Sequence, residues 1–127
     1  MSSNASKILI IDDDASIRHT MGEVVALVGW EVLEAESSQQ ALEVCQAHQD
    51  EIALIFLDLT LPDKPDGLPL HRALTSIVPG APLIVVSGYS RSDANQRHPD
   101  LAGYPYLQKP FDLDDLINSV EQALGRQ

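Results

Sequence analysis

The stretch Lys7-Ile8-Leu9-Ile10-Ile11-Asp12-Asp13-Asp14 decides the fold class of this chain. Its apolar residues do not alternate with polar ones, which predicts a strand that is buried on both faces of a sheet. Similar unbroken apolar runs occupy residues 52–57 and 82–86. Each run stops abruptly at a polar residue, so we expect a buried strand to end there.

Helical patterns fill the chain between these strands. An apolar stripe runs from Ile17 to Val28 and stops at Gly29, a residue typical of the position just after a helix. Residues 30–35 alternate apolar and acidic side chains, which predicts a strand near a sheet edge. The other predicted elements are helices over 38–48, 70–77 and 113–124 and a short strand over 104–107. Asp66 and Pro69 suit the start of the helix over 70–77, and Asp112 suits the start of the helix over 113–124. Strand and helix alternate five times, which predicts an α/β fold with a parallel sheet covered on both faces.

The expected fourth helix is the weak point of this pattern. Residues 89–103 are mostly polar, lack an apolar stripe and include Pro99. We therefore expect a short or irregular helix with weak packing.

Size and charge exclude several classes of protein. The chain has 127 residues, enough for one domain, which we place at 7–125 after a polar lead-in over 1–6. Its formal net charge of −11 opposes direct binding to nucleic acid. No apolar run approaches the roughly 18 residues of a membrane span, and we expect a cytoplasmic protein. The single cysteine, Cys45, is expected to be a small core residue.

Polar residues directly follow four of the predicted strands. Ligands of open parallel α/β sheets bind outside the carboxyl ends of the strands, so we expect these residues to face one crevice. They are Asp12, Asp13 and Asp14 after the first strand, Asp58 after the third, Ser87 after the fourth and Lys109 after the fifth.

These residue types suit phosphoryl transfer. Carboxylates that are brought together repel one another, and a hard divalent cation relieves that repulsion. A lysine and a hydroxyl group supply positive charge and a hydrogen bond to a phosphoryl oxygen. Any one of these residues alone is more simply explained as a turn or helix cap, so the prediction depends on all four strand ends together.

Motifs at these strand ends resemble the receiver domains of bacterial two-component response regulators. They are residues 8–13, Leu57-Asp58 with Leu61-Pro62, Ser87-Gly88 and residues 106–111, and the resemblance extends over about residues 7–124. It implies a flavodoxin-like, doubly wound (βα)5 fold. The sheet would have the strand order 2-1-3-4-5, with two helices on one face and three on the other.

The resemblance also implies a phosphoacceptor and a metal site. Asp58 would accept the phosphoryl group. Asp13, Asp58 and the backbone carbonyl of Thr60 would bind Mg²⁺ or Mn²⁺ directly, and Asp12 would bind it through water. The loop over 58–67 is one residue longer than is typical of the family, but the extra residue lies beyond Thr60 and should leave these ligands in place.

Further residues would sense the phosphoryl group. Lys109 would contact it, Ser87 would move to donate a hydrogen bond to it, and Tyr106 would follow Ser87 inward. The peptide bond between Lys109 and Pro110 would be cis. The face formed by the fourth helix, the fifth strand and the fifth helix would then change its affinity for an output protein, an attached domain or a second copy of the chain.

The resemblance implies that a histidine kinase, a phosphotransfer protein or a small phosphodonor supplies the phosphoryl group. No enzymatic activity is expected beyond accepting this group and slowly losing it. Thr60 and Tyr89 each lie two residues beyond a site residue and are expected to modulate that loss, with Tyr89 shielding the acyl phosphate from water. Residues 89–103 are expected to be mobile before phosphorylation.

The remaining charged residues are given surface positions. Arg18 lies one helical turn past the acids, from where it could approach the crevice, but we expect it to be a solvated helix residue. The four histidines show no metal-ligand spacing and are also expected at the surface: they are His19, His48, His71 and His98.

Two alternatives remain open at this point. Residues 10–16 also resemble the signature of metal-dependent phosphatases of the haloacid-dehalogenase kind, in which Asp12 would be the nucleophile. That function would leave Asp58 without a role. The second alternative is a degenerate receiver domain that serves only as a docking module.

Overall fold

Five strands alternate with five α-helices along the chain. The computed structural model describes residues 5–61, 63 and 69–125. The strands are β1 (Lys7–Ile11), β2 (Glu31–Ala35), β3 (Ile52–Asp58), β4 (Leu83–Ser87) and β5 (Tyr106–Gln108). The helices are α1 (Ala15–Leu27), α2 (Ser38–Ala47), α3 (Leu70–Ile77), α4 (Arg91–Arg97) and α5 (Leu113–Leu124), and a 3₁₀ turn spans Pro99–Leu101. No helix in this part of the chain is long and apolar enough to cross a membrane.

The five strands form one parallel sheet in the order β2-β1-β3-β4-β5, which confirms the expected topology. The acid-alternating strand β2 lies at an edge, as its pattern predicts. Ile11 pairs with Leu57 in the register of β1 and β3, so the residues that follow, Asp12 and Asp58, emerge side by side. The register of β1 and β3 thus places two of the predicted site residues next to each other.

Apolar side chains form two cores, one on each face of the sheet. On one face, Ile8 and Ile10 of β1 pack with residues of α1 and α5. On the other face, Leu9 and Ile11 pack with residues of α2 and α3 and with Leu101 of the 3₁₀ turn. The buried strands need apolar side chains on both faces for this reason. Cys45 is a buried member of the second core, as expected.

Local signals in the sequence place several helix ends correctly. The helix α1 is followed by Gly29 with φ +99°, a backbone conformation that favours glycine. At the start of α5, Asp112 and Asp115 form a reciprocal capping box, so the N-cap prediction is confirmed. Helix α3 begins at Leu70 after Pro69, and Asp66 lies outside the described residues.

The fourth helix is short and irregular, as the polar sequence predicts. It has seven residues, of which Ala94 alone is buried, and a 3₁₀ turn follows it. Strand β5 begins at Tyr106, two residues later than expected, because the chain turns and bends over 102–104 before the Pro105 carbonyl accepts from the Val85 N–H of β4.

The long loop after β3 is tied to α2 at one described residue. The Asp63 carboxylate accepts hydrogen bonds from the backbone N–H groups of Ser38 and Gln39, at the first turn of α2. The prediction that this loop is one residue longer than usual concerns mainly residues 62 and 64–68, which lie outside the described residues.

Candidate functional site

Three carboxylates meet at the carboxyl ends of β1 and β3. Ligand oxygens of Asp12, Asp13 and Asp58 all lie within 4.8 Å of one another. Asp12 and Asp58 are almost fully buried, whereas Asp13 is exposed. Three oxygen donors this close together form a cluster that could bind a hard divalent cation, and one exposed member leaves a side open to solvent.

The ammonium group of Lys109 lies beside the two buried carboxylates. Its Nζ is 2.9 Å from Asp12 Oδ2 and 3.4 Å from Asp58 Oδ2. The Lys109 backbone N–H donates to the carbonyl of Ser87 at 2.7 Å, which fixes the chain where it leaves β5. The peptide bond between Lys109 and Pro110 is cis, as expected. The structure therefore brings the predicted lysine to the predicted aspartates.

The buried charges oppose one another. Burial raises the pKa of Asp58 above its ordinary value, and the charge of Asp12 raises it further against hydrogen bonds from Thr60 and the charge of Lys109. Burial lowers the pKa of Lys109, but the hydrogen bond to Asp12 and the charges of both aspartates outweigh this effect, so its pKa is raised. Lys109 is thus cationic, and the two buried carboxylates, Asp12 and Asp58, share its single ammonium group.

Thr60 orients the Asp58 carboxylate. Its backbone N–H donates to Asp58 Oδ1 at 3.1 Å, and its hydroxyl group donates to the same oxygen at 2.9 Å. The second carboxylate oxygen, Oδ2, faces Lys109. The two oxygens of Asp58 therefore have different partners.

A second set of contacts joins Ser87 to β5 and α4. The fully buried Ser87 hydroxyl accepts a hydrogen bond from the Tyr89 backbone N–H at 3.1 Å. The Tyr106 hydroxyl donates to the Tyr89 carbonyl, and the Arg97 guanidinium lies 4.4 Å from the centroid of the Tyr89 ring. Tyr89 is thus fixed by its backbone and its ring, which links the end of β4 to both neighbouring elements.

Asp14 does not belong to the carboxylate cluster, contrary to the prediction that all three acids after β1 face the crevice. Its side chain is exposed and caps α1 by accepting hydrogen bonds from the backbone N–H groups of Ser16 and Ile17. Its own backbone N–H donates to Asp12 Oδ1 at 2.9 Å. Helix α1 begins at Ala15, directly after Asp14, and its first backbone N–H groups need a hydrogen-bond acceptor, which Asp14 provides.

The predicted solvated position of Arg18 is wrong. Only 8% of this residue is exposed, and its Nη1 donates to the Asp12 carbonyl at 2.8 Å. Its Nε donates to Glu34 Oε1 at 2.7 Å. One sequence signal was available: an arginine near the start of a helix is placed unfavourably in the helix dipole and so calls for an acidic partner.

The surface position expected for His71 is also wrong. It is 5% exposed, its Nε2 lies 3.4 Å from Asp100 Oδ2, and its ring contacts the Tyr104 ring edge-on. Burial lowers the pKa of His71, and the charge of Asp100 only partly opposes that shift. By contrast, His19 is exposed, and His48 and His98 are half-buried. His71 faces the core because α3 turns that side toward the segment after α4.

Comparisons with known proteins agree with this geometry. The family model described as response regulator receiver domain matches residues 8–121. The transcriptional regulatory protein PdtaR of Mycobacterium tuberculosis is 32% identical over 121 residues, which are 94% of this chain and 57% of that protein. Sporulation initiation phosphotransferase F of Bacillus subtilis is 29% identical over 118 residues, 93% of each chain.

Solved structures give the same result for the fold. A response regulator receiver domain protein from Clostridium thermocellum superposes with a TM-score of 0.80 at 27% sequence identity, covering 94% of both chains. This chain spans a little over half the length of PdtaR and nearly all of the sporulation phosphotransferase. The comparisons give no support to the phosphatase alternative.

Proposed function

This chain belongs to the response regulator receiver domain family, whose members are phosphoacceptors in two-component signalling, and we propose that Asp58 is its phosphorylated residue. One observation carries this assignment: Asp58 ends the central strand β3, with its carboxylate between two other aspartates and the Lys109 ammonium. A carboxylate is a competent nucleophile where nearby groups neutralise the charge that accumulates during phosphoryl transfer. We place the domain itself at 7–125.

The carboxylate cluster fits a divalent cation. All its donors are hard oxygens, and two of them carry buried like charges that a cation would relieve. Asp13 and Asp58, with the backbone carbonyl of Thr60, would bind Mg²⁺ or Mn²⁺, and Asp12 would contact it through water. When bound, the ion would neutralise charge on the carboxylates and on the incoming phosphoryl oxygens.

The transfer itself requires little from the protein beyond positioning. An oxygen of Asp58 attacks the phosphorus atom in line, and an O–P bond forms while the bond between phosphorus and the donor breaks. The donor leaves with the electron pair of that bond. Thr60 fixes the orientation of the Asp58 carboxylate, and Lys109 is close enough to follow the new phosphoryl oxygens. The product is an acyl phosphate on Asp58.

The acyl phosphate changes the partners of Ser87. In the present arrangement, its hydroxyl oxygen accepts from the Tyr89 N–H, and its hydroxyl hydrogen would be donated to a phosphoryl oxygen after the side chain moves toward Asp58. Tyr89 is joined to Tyr106 and Arg97, so this movement is passed to β5 and α4. Tyr106 then turns inward, and the face formed by α4, β5 and α5 changes its affinity for a partner.

A histidine kinase or a phosphotransfer protein is the phosphodonor that we propose. An open groove of about 450 Å³ adjoins Lys109, and its apolar lining would fit an apolar face of such a protein. The groove is lined by Ser16, Ile17, Thr20, Met21, Lys109, Pro110 and Phe111.

The output would be a separate protein, an attached domain or a second copy of the chain. We place this signalling in the cytoplasm, with no direct nucleic-acid binding at a net charge of −11.

Labelling with a radioactive acyl phosphate donor tests the assignment. We expect stable label in the presence of Mg²⁺ and none in Asp58→Asn, while Asp50→Asn, which changes an exposed turn residue, is labelled like the parent chain. Chelation of the metal should abolish labelling of the parent chain. Label that survives in Asp58→Asn, or rapid turnover that depends on Asp12, would overturn the assignment in favour of the phosphatase. Absence of both labelling and Mg²⁺ binding would instead support the docking module.

A further inference from the structure

Arg18 connects the edge of the sheet to the acidic cluster from behind. Its side chain turns back from α1, and its Nη1 donates to the Asp12 backbone carbonyl at 2.8 Å. Its Nε donates at 2.7 Å to Glu34 on β2, the edge strand. Both contacts are made by one planar guanidinium group, so they fix its position together.

The Asp12 carbonyl belongs to the peptide group that joins Asp12 to Asp13. The other hydrogen-bonding groups of Asp12 also have partners: its N–H donates to the Ala35 carbonyl, and its carboxylate contacts Asp14 and Lys109. Arg18 thus satisfies the remaining backbone acceptor of Asp12. The orientation of this peptide sets the direction in which the exposed Asp13 side chain leaves the backbone.

A buried guanidinium requires such partners. Only 8% of Arg18 is exposed, and removing a cation from water without an acidic partner is costly. Glu34 supplies the negative charge, and its side chain stays partly exposed. The neighbouring His19 also approaches Glu34 Oε1, at 3.3 Å, but its side chain is largely exposed and belongs to the next position of the helix. Arg18 therefore differs from His19 in reaching the acidic cluster.

We propose that Arg18 is a positioning residue for the cation site, because it orients the peptide between two of the site's aspartates. This inference rests on the proposed function, in which Asp13 and Asp58 bind the metal. Arg18 acts through Asp12 and Asp13 rather than on the metal or the phosphoryl group. Residues that orient metal ligands from behind typically change metal affinity by tenfold or more when they are replaced.

Two effects of Arg18 on the cation site have opposite signs. Its positive charge repels a divalent cation, so loss of the charge alone would strengthen metal binding. Its hydrogen bond to the Asp12 carbonyl orders the ligands, so loss of that bond would weaken metal binding. The direction of the change in affinity therefore distinguishes positioning from charge.

Binding of Mn²⁺, followed through the electron paramagnetic resonance signal of the free ion, measures the effect directly. We expect Arg18→Met and Arg18→Lys each to weaken binding by about tenfold. Lysine keeps the charge but cannot donate to Glu34 and to the Asp12 carbonyl from one rigid fork. His19→Gln is the matched control, because it alters the adjacent contact with Glu34 and should leave affinity unchanged.

A pair of substitutions at Glu34 gives a second test if Arg18→Met fails to fold. Glu34→Gln keeps an oxygen acceptor for the Arg18 Nε and should bind Mn²⁺ within about twofold of the parent chain, whereas Glu34→Ala should bind several-fold more weakly. Unfolding in urea with a chelator reports stability without metal, which separates a loss of folding from a loss of affinity.

The outcomes separate this inference from the proposed function. Unchanged affinity in Arg18→Lys, or stronger binding in Arg18→Met, would overturn the positioning role while leaving the cation site intact. If the parent chain binds no Mn²⁺ and accepts no phosphoryl group, the proposed function fails and the role of Arg18 fails with it.

Discussion

Asp58 occupies an unfavourable place for a carboxylate, and that place is what the proposed reaction needs. It is buried beside Asp12, and one ammonium group lies between them. Burial and the charge of Asp12 raise its pKa, so ionising it costs stability in the folded protein. Binding of a cation, or neutralisation of the carboxylate by phosphorylation, would relieve this electrostatic repulsion.

Replacing this charge should stabilise the metal-free protein. We expect Asp58→Asn to raise the free energy of unfolding by about 1 kcal/mol at pH 7, since the amide keeps an acceptor for Thr60 and removes the charge. Because the folded pKa of Asp58 lies above its unfolded value, its ionisation costs stability as pH rises through this interval. The gain should therefore shrink as pH falls and vanish below about pH 4. Urea unfolding with a chelator measures it, and a variant less stable than the parent chain at pH 7 would contradict the prediction.

Tyr89 should control how long the acyl phosphate survives. Its backbone N–H donates to the Ser87 hydroxyl, and its bulky ring lies against the Arg97 guanidinium. Because Tyr89 lies two residues beyond Ser87, we expect its ring to shield the acyl phosphate from water. We expect Tyr89→Ala to shorten the half-life of the phosphorylated protein on the order of threefold to tenfold, a change of about 1 kcal/mol in the barrier to hydrolysis. Loss of radioactive label over time gives the rate.

Tyr89→Phe is the matched control for this measurement. It keeps the aromatic ring and the contact with Arg97, so its half-life should equal that of the parent chain. An unchanged half-life in Tyr89→Ala would refute shielding by the ring.

At the scale of elements, α4 differs from the other helices. Its residues contribute one buried side chain, Ala94, whereas α1 and α5 each bury an apolar stripe. Its remaining links are polar or aromatic contacts at its two ends: Ser90 caps the helix, Arg91 donates to the Tyr104 carbonyl, and Arg97 lies over Tyr89. A helix with little buried area opens locally at low cost, which suits an element that must respond to Ser87.

Amide hydrogen exchange tests this prediction. In the unphosphorylated protein, we expect the amides of 91–97 to exchange at least tenfold faster than those of β1 and β3. The amides of α5 serve as the internal helical control and should be protected like the core. Protection of α4 equal to that of the central strands would count against a mobile segment.

At the scale of the whole molecule, two cores on opposite faces fix the sheet, and the sheet brings the four strand ends together. His71 lies where the second core meets the 3₁₀ turn after α4, near Asp100 and Tyr104. Arg72 and His98 are the other charged or titratable groups that affect it. A buried neutral imidazole at this junction ties the stability of the fold to pH.

Acidification should destabilise the protein through His71. Burial lowers its pKa below the ordinary value of 6.5, so the unfolded chain takes up a proton first and stability falls as pH drops below about 6.5. This residue adds at most about 1.4 kcal/mol per pH unit. We expect His71→Phe, which keeps a ring against Tyr104, to show a smaller loss of unfolding free energy between pH 7 and pH 5.

His19→Gln is the control for a general effect of histidine titration, because His19 is exposed and is not among the groups that affect His71, and this variant should keep the pH dependence of the parent chain. If urea unfolding gives the same slope for His71→Phe and the parent chain, His71 is not the group responsible.

The sequence by itself determined the elements and most of their ends, the start of β5 excepted. Unbroken apolar runs identify β1, β3 and β4 because both faces of those strands are covered, and the alternation in β2 identifies an edge. The polar residues that follow the strands predict the site, since the carboxyl ends of parallel strands meet at one edge of the sheet. The family resemblance added the strand order, which the sheet confirms.

The tertiary structure decided which partners those residues have. Arg18 and Glu34 are 16 positions apart, and Lys109 and Asp12 are 97 apart. Periodicity within one helix reports which side of that helix is apolar, but it says nothing about a polar residue that is buried against a distant acid. For that reason Arg18 and His71 were misplaced and Asp14 was counted with the cluster, although the elements that carry all three were predicted correctly.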